Sequence, residues 1–132
     1  MNDLYVYPNK KVVVLVLTKG VHGGIKNHKV VDAVVESVGT KYAYLKYDQP
    51  NLGTFKRGRP KFYKKTGRQV DRDERYIRIV FNKKEEAEKY ILDNHKRNLR
   101  FAIKHRVNHG NCTIEQLLKA LEALGGEDPG AF

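Results

Sequence analysis

The sequence predicts an α+β fold, in which a small β-barrel of about five strands, of the SH3-like or OB-like kind, is followed by two C-terminal α-helices. Short runs of β-branched and aromatic residues, separated by Gly, Asn and Pro, fill the first 81 residues. After residue 81 the apolar residues recur at helical spacing instead. A barrel is favoured over an open sheet because closure removes the unpaired edges of short strands.

The first three predicted strands follow from the pattern of apolar residues. Residues 12–17 are continuously apolar, which is typical of a central, buried strand. Residues 18–29 contain three glycines and predict a wide loop, after which a second strand is expected over 30–38. Aromatic residues alternate with aliphatic ones over 41–47 and predict the third strand.

Turn residues divide the rest of the barrel. Residues 48–60 hold two prolines and two glycines, so we expect a loop there. Short runs on either side of Thr66-Gly67 predict a hairpin, and the alternation over 75–81 predicts the last strand. The barrel is therefore expected to span about residues 10–81.

Two helices and a short tail are predicted to complete one domain, residues 1–132. The long helix is expected over about 83–107 and the short helix over about 114–124. Thr113 and Gln116 have the spacing of a capping box at the start of the short helix. Residues 127–132 are predicted to form a flexible, unanchored tail.

Several short motifs give the chain a resemblance to a known group. The stretch KFYKKTGR at 61–68 leads into RYI at 75–77, and VGTKY at 38–42 and TIEQL at 113–117 belong to the same pattern. In these motifs the chain resembles small bacteriophage proteins known only as β-barrel domain proteins of unassigned function. The resemblance covers about residues 11–124. It implies an origin in a phage genome and action inside an infected bacterial cell, and it implies no activity.

The charge of the chain indicates an acidic partner. The formal net charge is +11, and residues 56–84 carry twelve Lys/Arg against three Asp/Glu. Nucleic acid, DNA or RNA, is the commonest anionic partner of such a protein. A single cysteine and the absence of a signal-like N-terminus or a long apolar run favour the cytoplasm, that of the bacterial host for a phage protein, and no contact with a membrane.

Cations interleaved with aromatic residues make the predicted hairpin the centre of a nucleic-acid-binding site. Cations release counterions from phosphates, and exposed rings stack on unpaired bases. Basic residues of the long helix are expected to extend this surface. The candidate residues are Lys56, Arg57, Arg59, Lys61, Tyr63, Lys64, Lys65 and Arg68 around the hairpin, with Lys96, Arg100 and Lys104 on the helix.

Neither catalysis nor a bound cofactor is expected. Ser37 is the only serine, and no motif of a nucleophilic enzyme surrounds it or Cys112. His105 and His109 lie one helical turn apart, but with Cys112 they lack the fourth ligand of a closed zinc site, so no metal is expected.

Other functions stay open on sequence grounds. The same basic surface suits an inhibitor or adaptor that binds an acidic face of a host protein, with an apolar patch formed by residues such as Leu4, Tyr5 and Tyr7. It also suits a virion or assembly component that contacts packaged DNA. The sequence does not distinguish DNA from RNA or single strands from duplex.

Overall fold

The computed structural model describes residues 4–21, 24–46, 52, 60–71, 73–102, 113–123 and 128–132. Two compact units, Met1–Ala87 and Glu88–Phe132, contain these residues. The prediction that the whole chain is one domain stays a prediction. The elements are β1 Lys11–Lys19, β2 Ile25–Val38, β3 Tyr42–Leu45, β4 Lys61–Tyr63, β5 Tyr76–Phe81, α1 Lys84–Ala102 and α2 Ile114–Ala123.

The five strands form one antiparallel sheet in the order β4-β3-β2-β1-β5. β1 lies at the centre of the longest ladders, between β2 and β5, and six of its consecutive residues, 12–17, are buried. Burial on both faces explains why this strand is continuously apolar rather than alternating.

Residues 67–70 bring the two ends of the sheet together. Tyr63 N donates to Arg68 O at 2.9 Å on the β4 side, and Val80 N donates to Gly67 O at 2.7 Å on the β5 side. Single antiparallel bridges join Phe62 to Gln69 and Arg68 to Ile79. Gly67 has a φ of 74°, a conformation that costs glycine little. The result is a nearly closed five-stranded barrel followed by two helices, which confirms the predicted fold class.

The hairpin between β1 and β2 is tighter than the sequence predicts. The expected loop over 18–29 is wrong, because β1 continues to Lys19 and β2 begins at Ile25. Residues 27–29 pair with β1 although all three are exposed and polar. Their backbone groups complete the ladder while their side chains remain in solvent, so hydrophobic alternation fails to reveal this part of the strand.

The barrel core includes residues from outside the strands. Leu4 and Leu52 are buried with Val14, Val35 and Phe62 in one apolar cluster. The N-terminal segment is held by the hydrogen bond from Leu4 N to Lys64 O, 2.8 Å long. The predicted start of the barrel near residue 10 therefore leaves out a segment that packs on its core.

In the second unit, α2 packs on α1 through a small leucine cluster. Leu99 of α1 is buried with Leu117 and Leu121 of α2. The predicted capping box is present, because Gln116 N donates to Thr113 Oγ1 at 3.2 Å and Thr113 N donates to Gln116 Oε1 at 2.9 Å. These two bonds satisfy backbone donors that the first helical turn leaves free.

The last residues of the chain differ from the predicted unanchored tail. His95 Nε2 and Asp128 Oδ1 lie 2.7 Å apart, and Asn98 Nδ2 donates to the carbonyl oxygens of Gly130 and Ala131 at 3.1 and 3.0 Å. The ring of Phe132 stacks on Tyr90 of α1, with centroids 6.4 Å apart. Residues 128–132 are thus attached along α1.

Candidate nucleic-acid interface

The outward side of β3 and β4 carries aromatic rings beside a cation. Ala43 and Leu45 of β3 are buried, so Tyr42 and Tyr44 point outward, and the same alternation places Lys61 and Tyr63 outward on β4. We call Tyr42, Tyr44, Lys61 and Tyr63 the β3–β4 face.

Strand register brings the rings of this face into contact. Tyr42 lies opposite Tyr63, with ring centroids 5.5 Å apart and planes tilted by 52°. Lys61 Nζ lies 4.0 Å from the centroid of the Tyr42 ring, within range of a cation–π interaction. Tyr63 is 40% exposed, so part of this aromatic pair is open to solvent.

The turn after β4 adds more positive charge next to these rings. Lys65 and Arg68 are exposed, and Thr66 Oγ1 accepts a hydrogen bond from Arg68 N at 3.3 Å. Lys64 is half-buried, and its Nζ donates to Gly39 O at 3.2 Å. Lys64 N also donates to Lys41 O at 2.9 Å, which places exposed Lys41 beside the turn.

The sign of the charge is uniform across this surface. Residues 41–46 and 60–70 contain no carboxylate. They contain six cations, Lys41, Lys46, Lys61, Lys64, Lys65 and Arg68. We call these six residues together with the β3–β4 face the basic aromatic surface. The two segments themselves therefore contribute only positive charge, which attracts an anionic ligand.

One arginine of the basic stretch does not belong to this surface. Arg78 of β5 is fully buried, and its guanidinium donates to Leu52 O at 2.6 Å, to Gln69 Oε1 at 3.0 Å and to Asp73 Oδ2 at 3.0 Å. The sequence charge of residues 56–84 therefore overstates what a ligand meets, since this arginine and Asp73 neutralise each other inside the barrel.

Asp73 is held ionised by its neighbours. Burial alone would raise its pKa, but hydrogen bonds from Arg75 N and from the Arg78 guanidinium outweigh burial and lower the pKa below its ordinary value. Burial lowers the pKa of Arg78, and the Asp73 carboxylate opposes that shift. The pair fixes the turn that joins the basic aromatic surface to β5.

The structure brings part of the predicted site together. Lys61, Tyr63, Lys64, Lys65 and Arg68 all lie in the basic aromatic surface. The predicted helix residues Lys96 and Arg100 are half-buried, one turn apart on α1, in the second unit. The remaining predictions, Lys56, Arg57, Arg59 and Lys104, lie outside the described residues.

Two tyrosines and two lysines of this surface, Tyr42, Tyr44, Lys41 and Lys46, are not among the candidate residues predicted from the sequence. Lys41 precedes β3, and Tyr42 and Tyr44 belong to it. The two tyrosines alternate with Ala43 and Leu45 along the strand, which indicates that both tyrosines face outward. The small Ala43 is the residue that faces the core. The alternation along β3 is therefore the sequence signal that assigns the two rings to the site.

The described residues add no metal centre or membrane-spanning element to this site. Within them, no three His, Cys, Asp or Glu side chains group as metal ligands would, and His105, His109 and Cys112 lie outside the described part of the chain. Neither described helix has the length and hydropathy needed to cross a bilayer.

Comparison with known proteins identifies one family. A family model described as "Phage ProQ C-terminal-like domain" matches residues 9–128, which include both the barrel and the helices. No curated protein and no solved structure matches the chain.

Proposed function

This chain belongs to the phage ProQ C-terminal-like domain family, and we propose that it is a non-catalytic nucleic-acid-binding accessory protein of a phage. The predicted resemblance to small phage proteins is confirmed at the level of this family. The proposed place of action is the cytoplasm of the infected bacterium, where nucleic acid of both phage and host is present.

The observation that carries the proposal is the basic aromatic surface. Its six cations match the repeated charge of a phosphate backbone, and neutralising phosphates releases condensed counterions. Among these cations, the Tyr42–Tyr63 pair offers a partly exposed aromatic surface on which a base can stack. The likeness to ProQ favours RNA as the nucleic acid.

We further propose that the barrel is SH3-like rather than OB-like. Each of the first three strands pairs with the next, and β5 returns to pair with β1. An OB-fold is a Greek-key barrel, and the strand order found here is not that of a Greek key. The β3–β4 face is then the outer side of the last hairpin of a meander.

A salt series tests the binding directly. We expect purified, nuclease-treated protein to bind labelled RNA, with log K falling linearly against log salt by roughly 0.7 per phosphate contacted on a single strand or 0.9 on duplex. Charge reversal of the exposed cations Lys41→Glu, Lys65→Glu and Arg68→Glu together should abolish measurable binding at moderate salt. Fluorescence anisotropy measures both effects.

The control is a variant with the same change of net charge elsewhere on the barrel. Lys11→Glu, Lys26→Glu and Lys29→Glu reverse three exposed cations of β1 and β2. We expect this variant to retain most of the affinity. Equal losses in the two variants would mean that only net charge matters, and a shallow salt slope would exclude a phosphate-binding surface.

Protein binding is a second candidate function, and one observation favours it. Phe101 of α1 is 74% exposed and Leu92 of the same helix is 44% exposed. An inhibitor or adaptor that contacts an acidic host protein would use such residues as anchors. Capture of one defined host protein that survives nuclease treatment and is lost in Phe101→Ser would support this candidate.

A further inference from the structure

We infer that the N-terminal segment carries a second stacking site, formed by Tyr5, Tyr7 and Lys10, and that it makes the protein prefer single-stranded over duplex nucleic acid. This inference rests on the proposed function and adds a site to it. The expected ligand is a flexible single strand of RNA whose bases are free to stack.

The segment presents its two tyrosines by simple alternation. Leu4 is buried in the barrel core and Val6 packs against the same cluster. Tyr5 and Tyr7 therefore point the other way, and they are 79% and 56% exposed. The backbone leading into the first ring is fixed, because Leu4 N donates to Lys64 O and Tyr5 N donates to Asn82 Oδ1 at 2.7 Å.

A tight turn places a lysine between the two rings. Lys10 N donates to Tyr7 O at 3.1 Å, with Pro8 and Asn9 at the turn's central positions, and Asn9 has a φ of 68°. Proline followed by a residue with positive φ suits a type II turn, and asparagine tolerates that conformation well. Lys10 Nζ then lies 5.5 Å from the Tyr5 centroid and 5.7 Å from the Tyr7 centroid and donates to Tyr5 O.

The new site adjoins the basic aromatic surface. Leu4 N lies 2.8 Å from Lys64 O, and Lys64 N lies 2.9 Å from Lys41 O. Tyr5 thus directly follows Leu4, whose backbone contacts the turn that carries the exposed cations. A strand that stacks on Tyr63 can continue past these cations to Tyr5.

The chemistry of the pair favours unpaired bases over other ligands. An exposed ring gains most by stacking on a flat aromatic surface, and duplex nucleic acid conceals the faces of its bases. The ammonium group of Lys10 beside the rings adds attraction for a phosphate of the same strand.

The test compares Tyr5→Ala/Tyr7→Ala with Tyr5→Phe/Tyr7→Phe on single-stranded RNA of increasing length, from about 4 to about 16 nucleotides. We expect the alanine variant to bind the longer strands about fivefold or more weakly for each ring lost. The phenylalanine variant should bind as the natural protein does, because the rings are retained. Duplex RNA should bind both variants with equal, lower affinity.

The outcomes separate this inference from the function on which it depends. If the natural protein binds no nucleic acid even at low salt, both fail. If it binds and the alanine variant is unchanged at every length, the second site is excluded while the proposed function stands. Equal losses on duplex and single strand would exclude the single-strand preference. Photocrosslinking of thiouridine-labelled RNA to the peptide that ends at Lys10 is expected and gives an independent readout.

Discussion

The side chain of Arg78 is fully buried although it carries a charge. Its guanidinium reaches three acceptors from three different parts of the barrel unit, Leu52, Gln69 and Asp73. The planar fork of arginine suits this role, because it donates in several fixed directions at once. Asp73 in turn accepts from Arg75 N and Tyr76 N, at the start of β5. A single side chain therefore joins β5 to the turn behind the basic aromatic surface.

Replacing this side chain should destabilise the protein strongly. Arg78→Met keeps much of the length but leaves the Asp73 carboxylate buried without its partner, which typically costs about 3–5 kcal/mol. Urea unfolding followed by circular dichroism measures the free energy of unfolding. Arg75→Met is the matched control, because Arg75 is exposed, and its effect should stay within about 0.5 kcal/mol. A loss below about 1 kcal/mol for Arg78→Met would contradict the role given to the pair.

At the scale of elements, the start of α2 follows from a local signal, whereas the attachment of the tail depends on distant residues. The capping box at Thr113 is encoded within four residues, so the sequence alone predicts the start of α2. The attachment of residues 128–132 depends on Tyr90, His95 and Asn98, more than 30 residues earlier in the chain. No short-range pattern marks such contacts. The sequence therefore predicts an unanchored tail, as is usual for the last residues of a domain.

The attachment of the tail should weaken in acid. Hydrogen bonds from Gly130 N and from His95 lower the pKa of Asp128 below its ordinary value of 3.8. A lowered pKa in the folded state means that the contribution of Asp128 to the attachment is complete above pH 3.8 and is lost as the pH falls through the lower, folded-state value. The Gly130 amide resonance in NMR spectra should titrate with a midpoint below 3.8.

Two variants define the origin of that titration. Asp128→Asn should remove it, since no carboxylate is left to protonate. Asp93→Asn, at an exposed position of α1, should leave it in place. A midpoint at or above the ordinary value in the natural protein would show that the tail does not hold Asp128 in the hydrogen bonds described above.

For the molecule as a whole, the sequence predicts a barrel but not the residues that close it. Apolar runs and the change of period after residue 81 are enough to predict a barrel and two helices. Closure depends on residues 67–70, which bond to β4 on one side and to β5 on the other. Their side chains show no strand-like alternation, because it is their backbone groups that pair. For the same reason, the sequence does not predict the exposed start of β2.

The net charge of +11 predicts opposite effects of salt on stability and on binding. Without a partner, like charges repel one another in the compact state, and salt screens that repulsion over a Debye length of about 10 Å at 0.1 M. Raising salt from low to moderate concentration should therefore raise the melting temperature of the free protein. The same salt should lower its affinity for RNA, because counterion release becomes less favourable.

RNA should replace salt as a stabiliser of the folded state. At low salt and a concentration of about 100 times Kd, a ligand that binds only the folded protein adds about 2.7 kcal/mol to its stability. Differential scanning calorimetry with and without RNA, at low and high salt, measures both effects in one design. The variant Lys41→Glu/Lys65→Glu/Arg68→Glu should melt with a weaker salt dependence and gain nothing from RNA, because reversal weakens the repulsion and removes the site. A melting temperature that is unchanged by salt would mean that the cations are already neutralised within the molecule, and the basic aromatic surface would then have little charge to offer a ligand.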